Sequence, residues 1–308
     1  MTLTQLRYVI EVAGSHSMSE ASRALFISQP SLSSSIKELE DEVGITIFMR
    51  SNRGISLTPE GEEFTGYARQ VVEQYQLIES RYIAGERARK KFGVSMQHYA
   101  FAVKAFVEMA KRIDTDEYEL FVRETKTYDV IEDVAGFRSE IGILYMNDFN
   151  RKVISKLLSE RALEYHELLR CGIYVYMWKK HPLVEGLSDE ELKDKTVSLE
   201  EMEKYPCLSF DQGRNNSFYF AEEVMSTYEY KHLIHADDRG TMLNLMVGLN
   251  GYTLCSGILC EDLNGSDFCA IRLRSDEMMS IVYITRKGTT LSPLGEIYLE
   301  EIRRFRVS

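Results

Sequence analysis

The first 58 residues repeat one device three times: a short run of apolar residues at helical spacing, closed by a break. Leu3, Leu6, Val9, Ile10 and Ala13 recur at the helical period. After Gly14 to Ser17, a second short run covers about Met18 to Leu25, with Ala21, Ala24 and Leu25 turned inward. Only Phe26 to Ser28 separate it from a third run, which reaches about Val43 with Leu32, Ile36, Leu39 and Val43 on one face. Ser28 is placed to cap that helix, Pro30 sits in its first turn where a missing N–H costs nothing, and Gly44 ends it. Ile45 to Leu57 then carry β-prone residues around a polar tip of Arg50, Ser51, Asn52, Arg53 and Gly54, a hairpin signal. Thr58-Pro59 opens a further helix with a cap and a first-turn proline.

Three helices with a brief turn between the second and third, followed by a hairpin, describe a winged helix-turn-helix. Such a unit lays its third helix in the DNA major groove, where the N-terminal side chains reach base edges. The run Ser28 to Lys37 suits that task. Leu32 and Ile36 hold it to the core, while Gln29, Ser31, Ser34, Ser35 and Lys37 face outward as short, amide or basic side chains able to approach bases and phosphates. Arg50 and Arg53 in the wing can reach phosphates or the minor groove. The net charge of −11 is unusual for a nucleic-acid binder. Its distribution removes the difficulty. Residues 1–92 hold eleven Lys and Arg against twelve Asp and Glu, so nearly all the acidity lies beyond them. The charge argues against non-specific nucleic-acid affinity and leaves room for a small local footprint.

The helix from Thr58 is long, to about Lys91, with Phe64, Ala68, Val71, Tyr75, Ile78 and Tyr82 in steps of four and three. That is a heptad seam. It packs either on the protein's own body or on a second chain, and the small size of the preceding domain favours a second chain. From Phe92 strands and helices alternate. Strand-like runs are 92–96, 118–123, 140–145, 172–177, 207–210, 232–236, 251–255 and 279–285; helical runs are 101–112, 128–134, 217–228, 242–249 and 293–305. The alternation predicts parallel sheets with crossover helices. Five cysteines at irregular spacing match no disulfide or zinc framework and read as buried thiols in a reducing compartment. No apolar run is long enough for a membrane span, and no signal peptide is indicated.

The stretch from Met18 to Gly61 resembles the LysR-type transcriptional regulators. The resemblance is carried by Ala21, Ala24 and Leu25; by Ser28, Gln29, Pro30, Ser31, Leu32, Ser33 and Ile36; by Leu39, Glu40 and Gly44; by Phe48 and Arg50; and by Leu57, Thr58, Pro59 and Gly61. It implies a winged helix-turn-helix over residues 1–58, a linker helix for dimerisation over 59–91, and an effector-binding domain over 92–308. That last domain is expected to be α/β and two-lobed, like the type II periplasmic solute-binding proteins. The lobes are expected at about 92–162 with 268–308, and at 163–267. The resemblance further implies double-stranded promoter DNA as a partner, contacted by Gln29, Pro30, Ser31, Ser33, Ser34, Lys37, Arg50 and Arg53. It also implies a homodimer or dimer of dimers, RNA polymerase as a further candidate partner, and a cytoplasmic location. Ser34 stands where the family often carries a basic residue, which makes this reading helix less charged than usual.

In a two-lobed fold of this kind ligands sit between the lobes, held by loops after strand ends and by helix N-termini. The loops here are 95–99, 124–127 and 211–217. With the resemblance they assign a small-molecule effector to Gln97, His98, Tyr99, Thr125, Ser209, Phe210, Asp211 and Gln212. No catalytic residue, cofactor or metal is expected. His232 and His235 fall on opposite faces of a strand-like run, and no phosphate-binding loop, nucleophile elbow or zinc-protease string occurs.

Overall fold

A computed structural model describes the chain except residues 16, 52–53, 83–89, 115–116 and 306–308; the side chains at 50, 51, 54, 73, 76, 77 and 80–82 also lie outside the description. Two compact units result, Met1–Arg89 and Lys90–Ser308.

The first unit opens with α1 (Leu3–Ser15), α2 (Met18–Ala24) and α3 (Gln29–Val43). Ser17 and Ser28 cap the second and third helices by accepting the N–H of Glu20 and Ser31, each at 3.3 Å. Gly44 ends α3 at φ 74°, a conformation that glycine adopts without steric cost. Val9, Val12, Ala21, Leu32, Ile36, Leu39 and Ile47 form the buried centre. The hairpin follows as β1 (Phe48–Ser51) and β2 (Gly54–Leu57), paired antiparallel with Phe48 opposite Leu57. The long helix α4 (Pro59–Tyr82) packs Ala68 and Val72 against Leu6 of α1, with Phe64 alongside. The heptad seam divides: Phe64 and Ala68 turn to the unit's own body, whereas Val71, Tyr75 and Ile78, with Tyr67, are exposed.

The second unit begins with β3 (Lys90–Met96). Lys90 and Lys91, assigned by sequence to the end of the long helix, are therefore strand residues, and 83–89 lie outside the described residues. There follow α5 (Ala100–Lys111), β4 (Tyr118–Glu124), α6 (Thr127–Ala135), β5 (Ile141–Met146), α7 (Arg151–Glu160), β6 (Leu163–Gly172) and β7 (Tyr174–Trp178). Next come α8 (Asp189–Asp194), β8 (Thr196–Val197), α9 (Leu199–Met202), β9 (Cys207–Phe210), β10 (Leu233–Ala236), α10 (Arg239–Leu249), β11 (Tyr252–Cys255), α11 (Glu261–Asn264), β12 (Phe268–Leu273), β13 (Met278–Arg286) and α12 (Pro293–Ile302).

Two sheets organise these elements, in the orders β4-β3-β5-β13-β6 and β10-β9-β11-β7-β12-β8. Each is mixed rather than parallel. β3 pairs parallel with β4 and β5, while β13 runs antiparallel to β5 and β6; β7 runs antiparallel to β11 and β12. The antiparallel strands flank the places where the chain changes lobe, at Gly172 to Tyr174 and at Leu273 to Met278. This corrects the expected lobe limits. Residues 163–172 form a strand of the first lobe, paired along its length with β13, and 268–273 belong to the second.

The helix expected over 217–228 is not formed. Phe218–Phe220 make one short 3-10 turn and the chain then runs irregularly, with Met225 at φ 59°. In a helix neighbouring side chains point about 100° apart. Here Glu222 and Glu223 bond to different partners, Gln212 and His98 for one and Ser209 and Phe210 for the other, and both are buried. An irregular course satisfies both carboxylates where a helical turn would not.

A reading helix and an inter-lobe cavity

On α3, Gln29, Pro30, Ser31, Ser34 and Lys37 are exposed, while Leu32, Ile36 and Leu39 are buried behind them. Ser33 is half-buried, and Ser35 presents its carbonyl to Gln5 Nε2 at 3.4 Å. The Ser34 hydroxyl donates to Glu38 Oε1 at 3.2 Å. Arg50 lies on β1 with its side chain outside the description, and Arg53 lies outside the described residues. One exposed residue passed over by the sequence reading is Phe26. It stands in the turn before α3 at φ 55°, with 95% of its surface free.

Two polar residues of the motif, Glu40 near the end of α3 and Thr58 at the start of α4, converge on one stretch of backbone. Glu40 Oε1 accepts the N–H of Ile47 at 2.6 Å and of Phe48 at 3.0 Å. Thr58 donates its hydroxyl to the Thr46 carbonyl at 2.6 Å and its N–H to the Ile47 carbonyl at 3.0 Å. The same hydroxyl accepts the Gly61 N–H at 2.8 Å. A Cβ at Gly61 would sit inside the Ile47 carbonyl oxygen. The base of the wing is thus clamped from α3 on one side and from the start of α4 on the other.

In the second unit, a chain of hydrogen bonds crosses between the lobes. Gln97 is fully buried. Its amide oxygen accepts the Tyr145 N–H at 2.8 Å and the Tyr99 hydroxyl at 3.1 Å, and its Nε2 donates to Thr127 Oγ1 at 2.5 Å. Thr127 donates onward, from its hydroxyl to the Phe220 carbonyl at 2.7 Å and from its N–H to Gln212 Oε1 at 3.0 Å. Gln212 Nε2 donates to Glu222 Oε1 at 3.0 Å. Glu222 Oε2 accepts both the N–H of His98, at 3.1 Å, and His98 Nδ1, at 2.8 Å. The His98 ring lies flat on Phe210, centroids 3.7 Å apart. Tyr128 against Phe220 and Phe149 against Tyr219 add ring contacts between the lobes.

Glu223 sits beside this chain. It accepts the Ser209 hydroxyl at 2.6 Å and the Phe210 N–H at 3.0 Å, and its own carbonyl accepts the Tyr145 hydroxyl at 3.1 Å. Burial, and then the neighbouring Glu222 charge, push its carboxyl up to about 8. The same two causes raise the Tyr99 hydroxyl. At the rim, Lys126 pairs with Asp211 at 3.0 Å and Arg239 pairs with Glu124 across the lobes.

Of these groups, His98, Tyr99, Phe210, Glu222, Glu223 and Arg239 border a cavity of about 100 Å³. His98, Tyr99, Phe101 and Met279 of the first lobe face Phe210, Glu222, Glu223, Arg239, Met242, Met246, Thr253 and Leu254 of the second. A larger hollow of about 440 Å³ lies within the second lobe beside Ser209, Phe218 and His235, and it shares Phe210 and Glu223 with the first. Of the eight residues assigned to the effector from sequence, His98, Tyr99 and Phe210 line the inter-lobe cavity. Gln97, Ser209 and Gln212 bond the residues around it. Asp211 stays at the rim, and Thr125 gives its N–H to the Met96 carbonyl at 2.8 Å. Glu222, Glu223 and Thr253 were missed. The adjacent Glu222-Glu223 pair inside an aromatic, uncharged stretch was the available signal. Burial raises the described thiols, and the Glu223 charge pushes Cys207 further in the same direction, so they are poor thiolates at neutral pH.

Residues 3–62 match the family described as bacterial regulatory helix-turn-helix protein, lysR family. The chain is 31% identical over 217 residues to the HTH-type transcriptional regulator AlsR of Bacillus subtilis, an alignment covering 68% of each chain. It is 27% identical over 216 residues to the HTH-type transcriptional regulator CysB of Haemophilus influenzae, covering 69% of this chain and 62% of that one. Among solved structures, a full-length OxyR variant from Pseudomonas aeruginosa has a TM-score of 0.60 at 20% identity, covering 100% of this chain and 96% of the other. CbnR, a LysR family transcriptional regulator, also gives 0.60, at 17% identity and 99% of both chains. At such identities the structures speak for the fold. A capped reading helix with a wing, continued into a two-lobed domain, is the build of a DNA-binding transcriptional regulator answering to an effector. The chain belongs to the LysR family.

Proposed function

We propose that this regulator binds promoter DNA as a homodimer or dimer of dimers through α3 and the wing, and that a small molecule in the inter-lobe cavity shifts the balance between two arrangements of the lobes. The observation that carries the effector half is the hydrogen-bonded chain from Gln97 through Thr127 and Gln212 to Glu222 and His98. It joins the lobes beside a cavity lined from both sides, so a molecule placed there contacts both lobes and stabilises one spacing over another. Gln29, Ser31, Ser34 and Lys37, exposed on α3, are the proposed contacts to bases and phosphates, with Pro30, Ser33, Arg50 and Arg53 completing the surface. The exposed Tyr67, Val71, Tyr75 and Ile78 of α4 support pairing between chains. The relatives named above are transcriptional regulators, which supports a non-enzymatic role in the cytoplasm. Among the described residues no helix is long and apolar enough to cross a membrane.

The test is fluorescence-anisotropy binding to DNA upstream of the protein's own gene, titrated with salt. A sequence-specific complex with a log–log salt slope of about −5 to −9 is expected, corresponding to roughly 6–10 neutralised phosphates. A slope near zero, or equal affinity for scrambled DNA, refutes the DNA half. Identical DNA binding and bending with every molecule that occupies the cavity refutes the effector half.

A further inference from the structure

We propose, on the reading of the inter-lobe cavity as the effector site, that its ligand is a small primary amine, charged at neutral pH, with a hydrogen-bond-accepting oxygen on a short apolar body.

Charge is the first argument. Glu222 and Glu223 are adjacent, both 7% exposed, and both border the cavity. Among the described residues neither is paired with a lysine or arginine, and His98 on Glu222 is the one basic group recorded against them. The guanidinium of Arg239, which also borders the cavity, is engaged with Glu124. Glu223 holds its proton to about 8 beside the Glu222 charge, so at neutral pH the pair stands one proton short of full ionisation, and a cation placed against it in this largely water-excluded site favours the ionised form. A buried carboxylate pair of this kind is relieved by a cation and aggravated by an anion.

Unused hydrogen-bonding capacity is the second, independent argument. Thr253 lines the cavity, is 7% exposed, and has a buried hydroxyl with no partner among the described residues. Arg239 Nε is likewise buried without an acceptor. Buried polar groups left unsatisfied are costly and mark places where something else completes them. The Thr253 hydroxyl can accept from an ammonium or donate to an oxygen, and Arg239 Nε can only donate, so the ligand supplies an acceptor atom as well as the charge.

Size is the third. An apolar cavity of about 150 Å³ accommodates benzene, with its six carbons. A cavity of about 100 Å³ suits a ligand of fewer non-hydrogen atoms. The remaining wall is apolar, with Phe101, Met242, Met246, Leu254 and Met279, and it receives the carbon body.

Three probes of matched size separate the classes: 1-amino-2-propanol, 1,2-propanediol and propionate, which differ in charge. Each is titrated into the full chain by calorimetry, with thermal shift in parallel. The expected result is binding of the amine, at least tenfold weaker binding of the diol, and none of propionate. Glu223→Gln weakens the amine about tenfold. Thr253→Val, which exchanges a hydroxyl for a methyl at constant shape, weakens it about fivefold and keeps the test valid should the glutamine variant fold poorly. Amine binding unchanged in both variants, or no binding of the amine, overturns the proposal. Propionate binding that Thr253→Val weakens overturns the amine and keeps the cavity as the effector site. Amine binding through these residues with no change in the promoter complex keeps the ligand class and overturns the effector reading.

Discussion

Replacing Glu40 with alanine removes two hydrogen bonds that fix the base of the wing, to the N–H groups of Ile47 and Phe48 at 2.6 and 3.0 Å. A hydrogen bond to a charged group contributes about 1.5–3 kcal/mol when buried. Glu40 is half-buried, so water replaces part of each bond in the variant. Helix propensity changes little, because alanine and glutamate are both good helix formers. The net loss expected for Glu40→Ala is about 2–4 kcal/mol. A unit of this size has a total stability of roughly 4–12 kcal/mol. One kcal/mol moves the midpoint of such a unit by about 4–8 °C, so its melting should fall by at least about 8 °C. Differential scanning calorimetry of the full chain separates this from the second unit, whose transition should stay in place. Glu40→Gln keeps one acceptor oxygen without the charge and should recover about half the loss. Specific DNA affinity should fall with the stability of the first unit at temperatures near its new midpoint. A Glu40→Ala transition within about 3 °C of the parent would falsify the clamp, as would a glutamine variant no better than alanine.

Gly61→Ala should prevent the first unit from folding at 37 °C, since its Cβ meets the Ile47 carbonyl oxygen and neither backbone can yield cheaply; loss of the first unit's calorimetric transition checks this, and a normal one refutes it. Phe26→Asn should raise the stability of the first unit by up to about 1 kcal/mol, because asparagine tolerates the left-handed conformation that an exposed phenylalanine holds at φ 55°. If specific DNA affinity drops in that stabilised variant, Phe26 contacts DNA. Glu223 holds its proton to about 8 in the folded chain, against 4.5 for a free carboxyl, so between those values the unfolded chain has released a proton that the folded chain keeps. Stability of the second unit should therefore fall as pH rises through that window, by up to about 1.4 kcal/mol per pH unit. Urea melts of Glu223→Gln should lack that part of the slope, and an unchanged slope refutes the assignment.

The legibility of the chain follows how local its determinants are. The limits of α3 were readable because Ser28, Pro30 and Gly44 act within a turn of where they stand. Strand β9 was readable because an apolar run between turn residues admits few readings. Glu40 and Thr58 were visible as motif residues, but their meaning depends on Ile47, which neither touches in sequence. Strand β6 escaped because Glu164, His166, Glu167 and Arg170 interrupt its apolar residues at the end of the sheet, where one side faces water. Helix α7 was passed over although Val153, Ile154, Leu157 and Leu158 recur at helical spacing; only Ile154 and Leu158 of the four are fully buried. The segment after Ser217 had helical composition and was drawn out of it by two carboxylates seeking donors some ten to over a hundred residues away. That outcome could be read only once the lobes were in place.

Arg239 and Asp237 apart, the bonds that join the lobes along this cleft come, on the second-lobe side, from one contiguous passage between Asp211 and Glu223. Its ends are anchored and its middle belongs to neither sheet. Such a passage can lengthen, shorten or exchange residues while every strand keeps its register. Descendants of this chain could thus acquire a new chemical signal by rewriting thirteen consecutive codons, with the architecture that transmits the signal inherited intact.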